Sequence, residues 1–564
     1  MKRFSILLTL LVLAVIVAAC APAPTPIPTA APPTAAPKPV PTAAPPTAAP
    51  QPTSAPPTAA SPAPVAPTAV ASPTITTGGI LRLARSGDTQ GWDPIQVSSN
   101  PSSWALDLVY GRLARVNDDA TGMSPDLASS WDVATDGKSI TYRLRSGLKN
   151  SDGTPFTASD VLFSLQRYQT DSPQKSLLAG RTFTSPDANT VIVTSQDPAP
   201  TMLSDVSTVL MYPKAYFDRV GKDGLMKMPL STGPFMLKSW EPGTVAHLVR
   251  NPNYWDQPKP YLDGVDLMVV GDSNTQSLKL QAGEIDAAIN LPITAAQDFG
   301  TSKDVYLVSK ALKSSVVMMM NQTNPSQAWF KNVQVRQAIN YAIDKTAIIK
   351  GALHGYATPM TTPLSVGQYV DPNGKPWPYD PAKAKDLLKA AGYEKGFTTT
   401  LLTNGNDPVF VSAATIVKNN LQAVGITVNL QPLDYAAARA AVVTAAGGAT
   451  TTYEMALIYA YTNDSLDQGG IFRFCCVGNV PPSMSNRTGF DDPAIDALWA
   501  QSQIEGDPVK RAALFKQMQA LVWDAAPHAF LWNDMSRAGA RSKVRNFTIT
   551  PTSYHPVTNV WMSK

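Results

Sequence analysis

From Ala21 to Thr77 the chain has almost nothing from which to build a core. The segment is Pro, Ala, Thr and Ser nearly throughout, with Lys38 its only charge and the run Pro-Thr-Ala-Ala-Pro-Pro-Thr-Ala-Ala-Pro repeated within it. So poor in large apolar side chains, it cannot offset the entropy of ordering itself. Proline-rich chain of this kind stays extended and semi-rigid, at about 3.1 Å per residue. It reads as a stalk holding a domain clear of a surface, or as a plain disordered tail. Either way, folding is left to Gly78–Lys564, which is 487 residues. That is large for one hydrophobic core and predicts two or three lobes.

The N-terminus sets the compartment. Lys2 and Arg3 precede an apolar run from Phe4 to Ala19, which ends in Val17-Ala18-Ala19-Cys20. Charge, then a short apolar stretch, then small residues is the layout of a secretory signal, and the run is short for a transmembrane helix. The ending resembles a bacterial lipobox. That resemblance implies a signal peptide over residues 1–20, acylation of Cys20 and anchoring to the outer face of the cell membrane or facing the periplasm. An ordinary signal peptide with an incidental cysteine is the alternative. The other cysteines, Cys475 and Cys476, are adjacent, which is no disulfide framework and has no zinc-site spacing. A disulfide between neighbours and two buried thiols both remain open. The net charge of +4 is spread along the chain without a basic block, which argues against nucleic acid as a partner.

Within the folded part the patterning changes midway. Gly79–Ala84 and Ser139–Arg145 alternate as half-buried strands do, and Thr190–Thr194 and Val265–Val270 are β-branched apolar runs. Thr157, with Asp160 three positions on, predicts a capped helix carrying Val161, Leu165 and Tyr168 on one face. Further on, Asp380-Pro381, Asp492-Pro493 and Asp507-Pro508 each place a carboxylate N-cap before a helix-starting proline. Gly392 is a left-handed helix stop. Asn332–Ile343 reads as helix, and Asp344 caps another running to Leu353. Strand 397–403, helix 409–423 and strand 426–430 form a βαβ unit, which implies parallel pairing. Tyr453–Tyr461 reads as one more strand. A β-rich first lobe and an α/β second lobe follow.

Several blocks in one order resemble the family 5 extracellular solute-binding proteins. They include Trp92-Asp93-Pro94, the stretch Pro125–Trp131 followed by Thr135–Lys138 and Ser151–Pro155, and Ser231–Phe235 with Arg250–Trp255. Leu280–Asp286, Val335–Asp344 and Tyr379–Ala384 continue the series. These blocks hold turn formers and apolar anchors and no catalytic groups. The resemblance implies an α/β, two-lobed, periplasmic-binding-protein-like clamshell with an enlarged first lobe and two hinge crossings. Lobe I is expected over 78–320 with a C-terminal return over 531–564, lobe II over 321–530, and Ser315–Asn321 as one crossing strand. It also implies a monomer without cofactor or metal that hands a peptide-like solute to an ABC permease and its ATPase subunits.

Carried onto this chain, the resemblance gives site residues on both walls. The loop Ala460–Asp467 aligns with the ligand-ammonium loop of oligopeptide binders, so Tyr461 takes the aromatic position and Asp464 the acid, with Asn463 beside it. Tyrosine replaces the family's tryptophan there, and Gln468 replaces its proline. Ser98, Ser99 and Asn100 fall where peptide binders pair their backbone with the ligand, although Ser-Ser-Asn-Pro is also good turn chemistry. Trp104 faces the cleft or the core. Arg473 is placed to meet a ligand carboxylate or to sit solvated in its loop.

Other classes leave weaker traces. The chain has no G-x-S-x-G, H-E-x-x-H or G-x-x-x-x-G-K, and Ser172-Pro173-Gln174-Lys175 matches S-x-x-K without a K-T-G. The four histidines, His247, His354, His528 and His555, are scattered. Three readings stay open beside a peptide: another solute on the same scaffold (oligosaccharide, opine or nickel complex), a secreted hydrolase whose carboxylates meet only in the fold, and a stalked adhesin or sensor. Fold alone does not choose the solute.

Overall fold

The computed structural model describes residues 75–95, 99–442, 452–458, 460–462, 486–552, 554 and 556–563, all within the compact unit Pro73–Lys564. Two seven-stranded sheets organise it. The first runs in the order Val305–Val308, Ala538–Arg541, Ala287–Ala288, Ile80–Arg85, Gly264–Val269, Val245–Arg250, Phe235–Glu241. The second runs Ala357–Pro359, His528–Met535, Ala311–Met320, Met455–Leu457, Phe397–Asn404, Ile426–Leu433, with Ala460–Thr462 also pairing Ala311–Met320. A four-stranded antiparallel sheet, Ala128–Val133, Ser139–Leu144, Thr190–Ser195 and Arg181–Asp187, enlarges the first lobe.

Local chemistry accounts for most of these elements. Thr157 and Asp160 form the reciprocal capping box that opens Ala158–Asp171, and Val161, Leu165 and Tyr168 are buried against the four-stranded sheet. Asp380, Asp492 and Asp507 each accept a backbone N–H in the first turn of a proline-started helix. Gly392 takes the left-handed conformation (φ 86°) just past Pro381–Ala390. The predicted βαβ unit is Phe397–Asn404, Pro408–Gln422 and Ile426–Leu433, with the strands parallel in register from Phe397↔Ile426 to Asn404↔Leu433.

Two expectations differ from what the chain does. The first lobe contains more helix than its alternation predicts: Asn100–Val109, Met202–Ser207, Lys214–Lys227, Ser273–Ala282 and Ile293–Phe299 join the expected one. Asn100-Pro101 starts a helix because proline suits a first turn, where its missing N–H costs nothing. Tyr453–Tyr461 is also not one strand. Met319 pairs Ala456 and Val316 pairs Ala460, so positions 456–460, five residues, oppose the four of 316–319, and the pairing splits there.

Both crossing strands, Ala311–Met320 and His528–Met535, belong to the second sheet and pair antiparallel along their length. The chain therefore leaves the first sheet at Ser309-Lys310 and re-enters it at Ser536-Arg537. Position 320 closes the outbound strand, and position 531 lies within the return strand.

Candidate ligand cleft

In the first sheet, Ile80–Arg85 lies between two parallel neighbours, Gly264–Val269 and Ala287–Ala288. Parallel α/β sheets bind ligands outside the carboxyl ends of such strands, where connections diverge to either side. That edge carries Arg85, Ser86 and Asn290, whose amide donates to the Ser86 hydroxyl at 3.4 Å. Arg85 is 1% exposed, so it cannot reach a solute. Its Nη1 donates to the Pro101 carbonyl at 2.7 Å, its Nη2 lies 3.7 Å from Asp88, and burial lowers its pKa to about 10. It braces the start of helix Asn100–Val109 from beneath.

Of the sequence-predicted residues on this wall, Ser99 takes the extended N-cap conformation (φ −93°, ψ 147°) before that helix, and its hydroxyl lies 2.8 Å from that of Ser102. Ser102 in turn accepts from the Gln90 N–H at 2.9 Å. Trp104 is half-buried against the first-lobe core. It also lines a cavity of about 550 Å³ whose walls, including Asp107, Arg112, Trp255 and Tyr554, come from the first lobe alone. Ser98 lies outside the described residues, as does the side chain of Asn100.

In the second sheet the carboxyl ends of Phe397–Asn404, Ile426–Leu433 and Met455–Leu457 point to one edge, since all three run parallel. The outbound crossing strand runs against them, which brings its N-terminal half to the same edge. There Ser314, Ser315 and Val316 pair with Thr462, Tyr461 and Ala460. The return strand pairs Met535 with Ala311, so Asn533, Asp534 and Met535 arrive there as well. The backbone of Tyr461 is thus placed at this edge. Its side chain, and Asn463, Asp464, Arg473, Cys475, Cys476 and Cys20, lie outside the described residues. Asp407 caps helix Pro408–Gln422 through the Val409 N–H at 2.9 Å, and Phe410 comes within 6.2 Å of Trp532, which fixes that helix start beside the return strand.

The two carboxyl edges meet at the crossing links. Ser536 N–H donates to the Lys310 carbonyl at 2.8 Å, and Lys310 N–H donates to the Ser536 hydroxyl at 3.0 Å. Leu291, just beyond the edge strand Ala287–Ala288, donates its N–H to the Arg537 carbonyl at 2.9 Å. Asp407, Asp534 and Arg537 put three charges at this junction, and sequence reasoning missed all three. The one signal was a lone acid near the end of the strand His-Ala-Phe-Leu-Trp-Asn-Asp-Met. Among the described residues, no cluster of three metal-ligating side chains occurs and no helix is long and apolar enough to cross a membrane.

Two α/β sheets joined by paired crossings, with their carboxyl edges turned to the crossings, define a two-lobed solute-binding protein. The structure of the Helicobacter pylori periplasmic binding protein DppA with the peptide STSA aligns over 87% of this chain and 99% of its own, at a TM-score of 0.67 and 27% identity. The substrate-binding protein CtaP of Listeria monocytogenes aligns at a TM-score of 0.77 and 23% identity, covering 87% and 100%, and shows the same fold. The chain belongs to the bacterial extracellular solute-binding proteins, family 5, whose middle region matches residues 122–476. The glutathione-binding protein GsiB of Escherichia coli K12 is 31% identical over 414 residues, 71% of this chain and 78% of its own. GsiB of Pectobacterium atrosepticum is 30% identical over 437 residues, covering 75% and 83%.

Proposed function

We propose that this protein captures a short peptide or peptide-like solute between its two carboxyl edges and delivers it to an ABC permease, performing no bond chemistry. The observation that carries this is the meeting of the two carboxyl edges at the crossing links, where strand ends of both lobes are hydrogen-bonded together. Support for a peptide comes from relatives named for glutathione and from the peptide-bound DppA, both short chains with free ends. An extended ligand offers backbone amides, an ammonium and a carboxylate, and burying them requires partners for each. In this reading Asp464 receives the ammonium and Tyr461 takes the aromatic position, with Asn463 in the same loop. Ser98, Ser99 and Asn100 offer backbone to the ligand from the other wall, and Trp104 flanks them. Acylated Cys20 holds the protein at the outer face of the membrane as a monomer, with residues 21–77 as its tether.

Mass spectrometry of whatever co-purifies with the protein, followed by calorimetric titration with glutathione and short peptides, tests this reading. A peptide recovered intact at 1:1 stoichiometry is expected. Turnover of the solute, or tight binding of a sugar or metal complex with no peptide bound, overturns it.

A further inference from the structure

We propose that Arg537 receives the anionic end of the bound solute, with Asp534 and Asp407 as an acidic flank that fixes which way round the solute lies. This rests on the reading above that the solute is a peptide held at the meeting of the two edges.

Arg537 stands at that meeting. Its Nε donates to the Leu291 carbonyl at 3.2 Å and its Nη1 to the Met535 carbonyl at 3.3 Å, both at the long end of the range for such bonds. No carboxylate of a described residue lies within ion-pair reach of it, and its Nη2 has no partner among the described residues. A guanidinium half out of water is ordinarily matched to a carboxylate or phosphate, for which its fork is shaped. Here the match is missing. Arg85, by contrast, is sealed beneath the edge and serves as a brace.

Asp534 is the opposite pole. It accepts from the Ser314 hydroxyl at 2.8 Å and from the Trp532 indole N–H at 2.9 Å, and it too has no ion pair among the described residues. The loop acid Asp407 faces the same junction. Burial holds the Asp534 carboxyl above its ordinary range and the Arg537 guanidinium below its own; the two also act electrostatically on each other, and Asp407 acts on both. Opposite charges three residues apart, neither closed into an ion pair among the described residues, leave room for a guest that completes one. Asp534 is tied to the second sheet through Ser314, whereas Arg537 bridges the link, bonding Leu291 of the first lobe and Met535 of the second sheet. A carboxylate completing the Arg537 fork would sit across the junction, and its repulsion from Asp534 and Asp407 would keep the opposite orientation out.

The test uses the full chain and two random tripeptide pools, one with free C-termini and one C-terminally amidated, with retained peptides counted by mass spectrometry after gel filtration. Wild type is expected to retain the free-acid pool about tenfold over the amidated pool. Arg537→Gln should bring that ratio within about twofold, and Arg537→Lys should restore part of it. Asp534→Asn, which removes a like charge facing the incoming anion, should raise free-acid retention roughly threefold. Arg545→Gln, at an exposed arginine of the first lobe outside the proposed site, should leave the ratio as in wild type. A tenfold ratio surviving in folded Arg537→Gln, or lost in Arg545→Gln, overturns the assignment. Equal retention of both pools by wild type overturns this inference alone, whereas retention of neither overturns the peptide reading and this inference with it.

Discussion

Arg167 and Asp93 make the most consequential buried ion pair in the first lobe, and separating its two halves tests how that lobe holds its ligand-side loop. Arg167, on helix Ala158–Asp171, donates from Nη1 to Asp93 Oδ1 at 2.9 Å and from Nη2 to Oδ2 at 2.6 Å. The side chains are 4% and 0% exposed. The same Nη1 also donates to the Tyr212 hydroxyl at 2.8 Å, the guanidinium lies 4.2 Å from the Phe217 ring centroid, and Asp93 Oδ1 accepts the Ile95 N–H at 3.2 Å. Removing either partner strands the other charge in the core, which costs about 3–5 kcal/mol. Removing both charges deletes the problem along with the bond, so Arg167→Met with Asp93→Asn should cost about 2 kcal/mol or more less than the sum of the single variants. Native-state amide hydrogen exchange over residues 158–171 reads the opening free energy of this region without assuming that both lobes unfold together. Additivity within about 0.5 kcal/mol would refute the picture of a coupled pair and make Asp93 a simple turn former.

Three further outcomes follow from burial and backbone geometry. Lys345 is 5% exposed, donates to the Asn340 carbonyl, and burial lowers its pKa to about 7, so its folded form resists protonation that the unfolded chain accepts up to 10.5. The penalty is complete below pH 7 and fades as pH rises toward 10.5; Lys345→Met should therefore gain about 2–4 kcal/mol at pH 7 and progressively less above it, measured by urea midpoints across pH. His528 is fully buried and its pKa falls to about 3, so the unfolded chain alone takes up a proton between pH 6.5 and 3. Wild-type stability should then drop through that window relative to His528→Phe, by about 3 kcal/mol between paired melts at pH 7 and pH 4. Gly396 has φ +71° and a Cβ there would lie 1.8 Å from the Gly425 carbonyl oxygen, whereas Gly355, at φ +89°, has open space. Gly396→Ala should cost about 3 kcal/mol or more and Gly355→Ala only about 1–2, in the same denaturation assay.

Much of the second lobe was legible because its signals are local. An aspartate before a proline states both where a helix starts and what caps it, and Asp380, Asp492 and Asp507 do so in the structure. The first lobe hid its helices where the caps were less marked. Ser273–Ala282 is capped by Asp272 through the Thr275 N–H, a signal present in the sequence but set against a surface with little apolar periodicity. The three consecutive methionines of the outbound strand have a tertiary cause: Met318 and Met320 enter one second-lobe core and Met319 another, so both faces are buried and alternation disappears. The charges at the crossing were beyond reach for a related reason. Asp534 and Asp407 are 127 positions apart in sequence, and only the pairing of His528–Met535 with Ala311–Met320 and the packing of Phe410 on Trp532 set them at one junction.

That junction also limits how the lobes can move. With Val316, Val317 and the three methionines locked between two cores, the outbound strand turns with the second lobe, and the return strand is paired to it from Ala311↔Met535 to Met319↔His528. Rotation between the sheets must then be absorbed at Ser309-Lys310 and Ser536-Arg537, two links that hydrogen-bond each other. Such a doubled link can bend across its width but resists sliding, because sliding would break both bonds between Lys310 and Ser536 together. Bending there changes the separation of Asp534, which travels with Ser314, from Leu291, while Arg537 is bonded across the link to both Leu291 and Met535. A solute bonded to Arg537 and to the second sheet at this junction would therefore bias that angle directly.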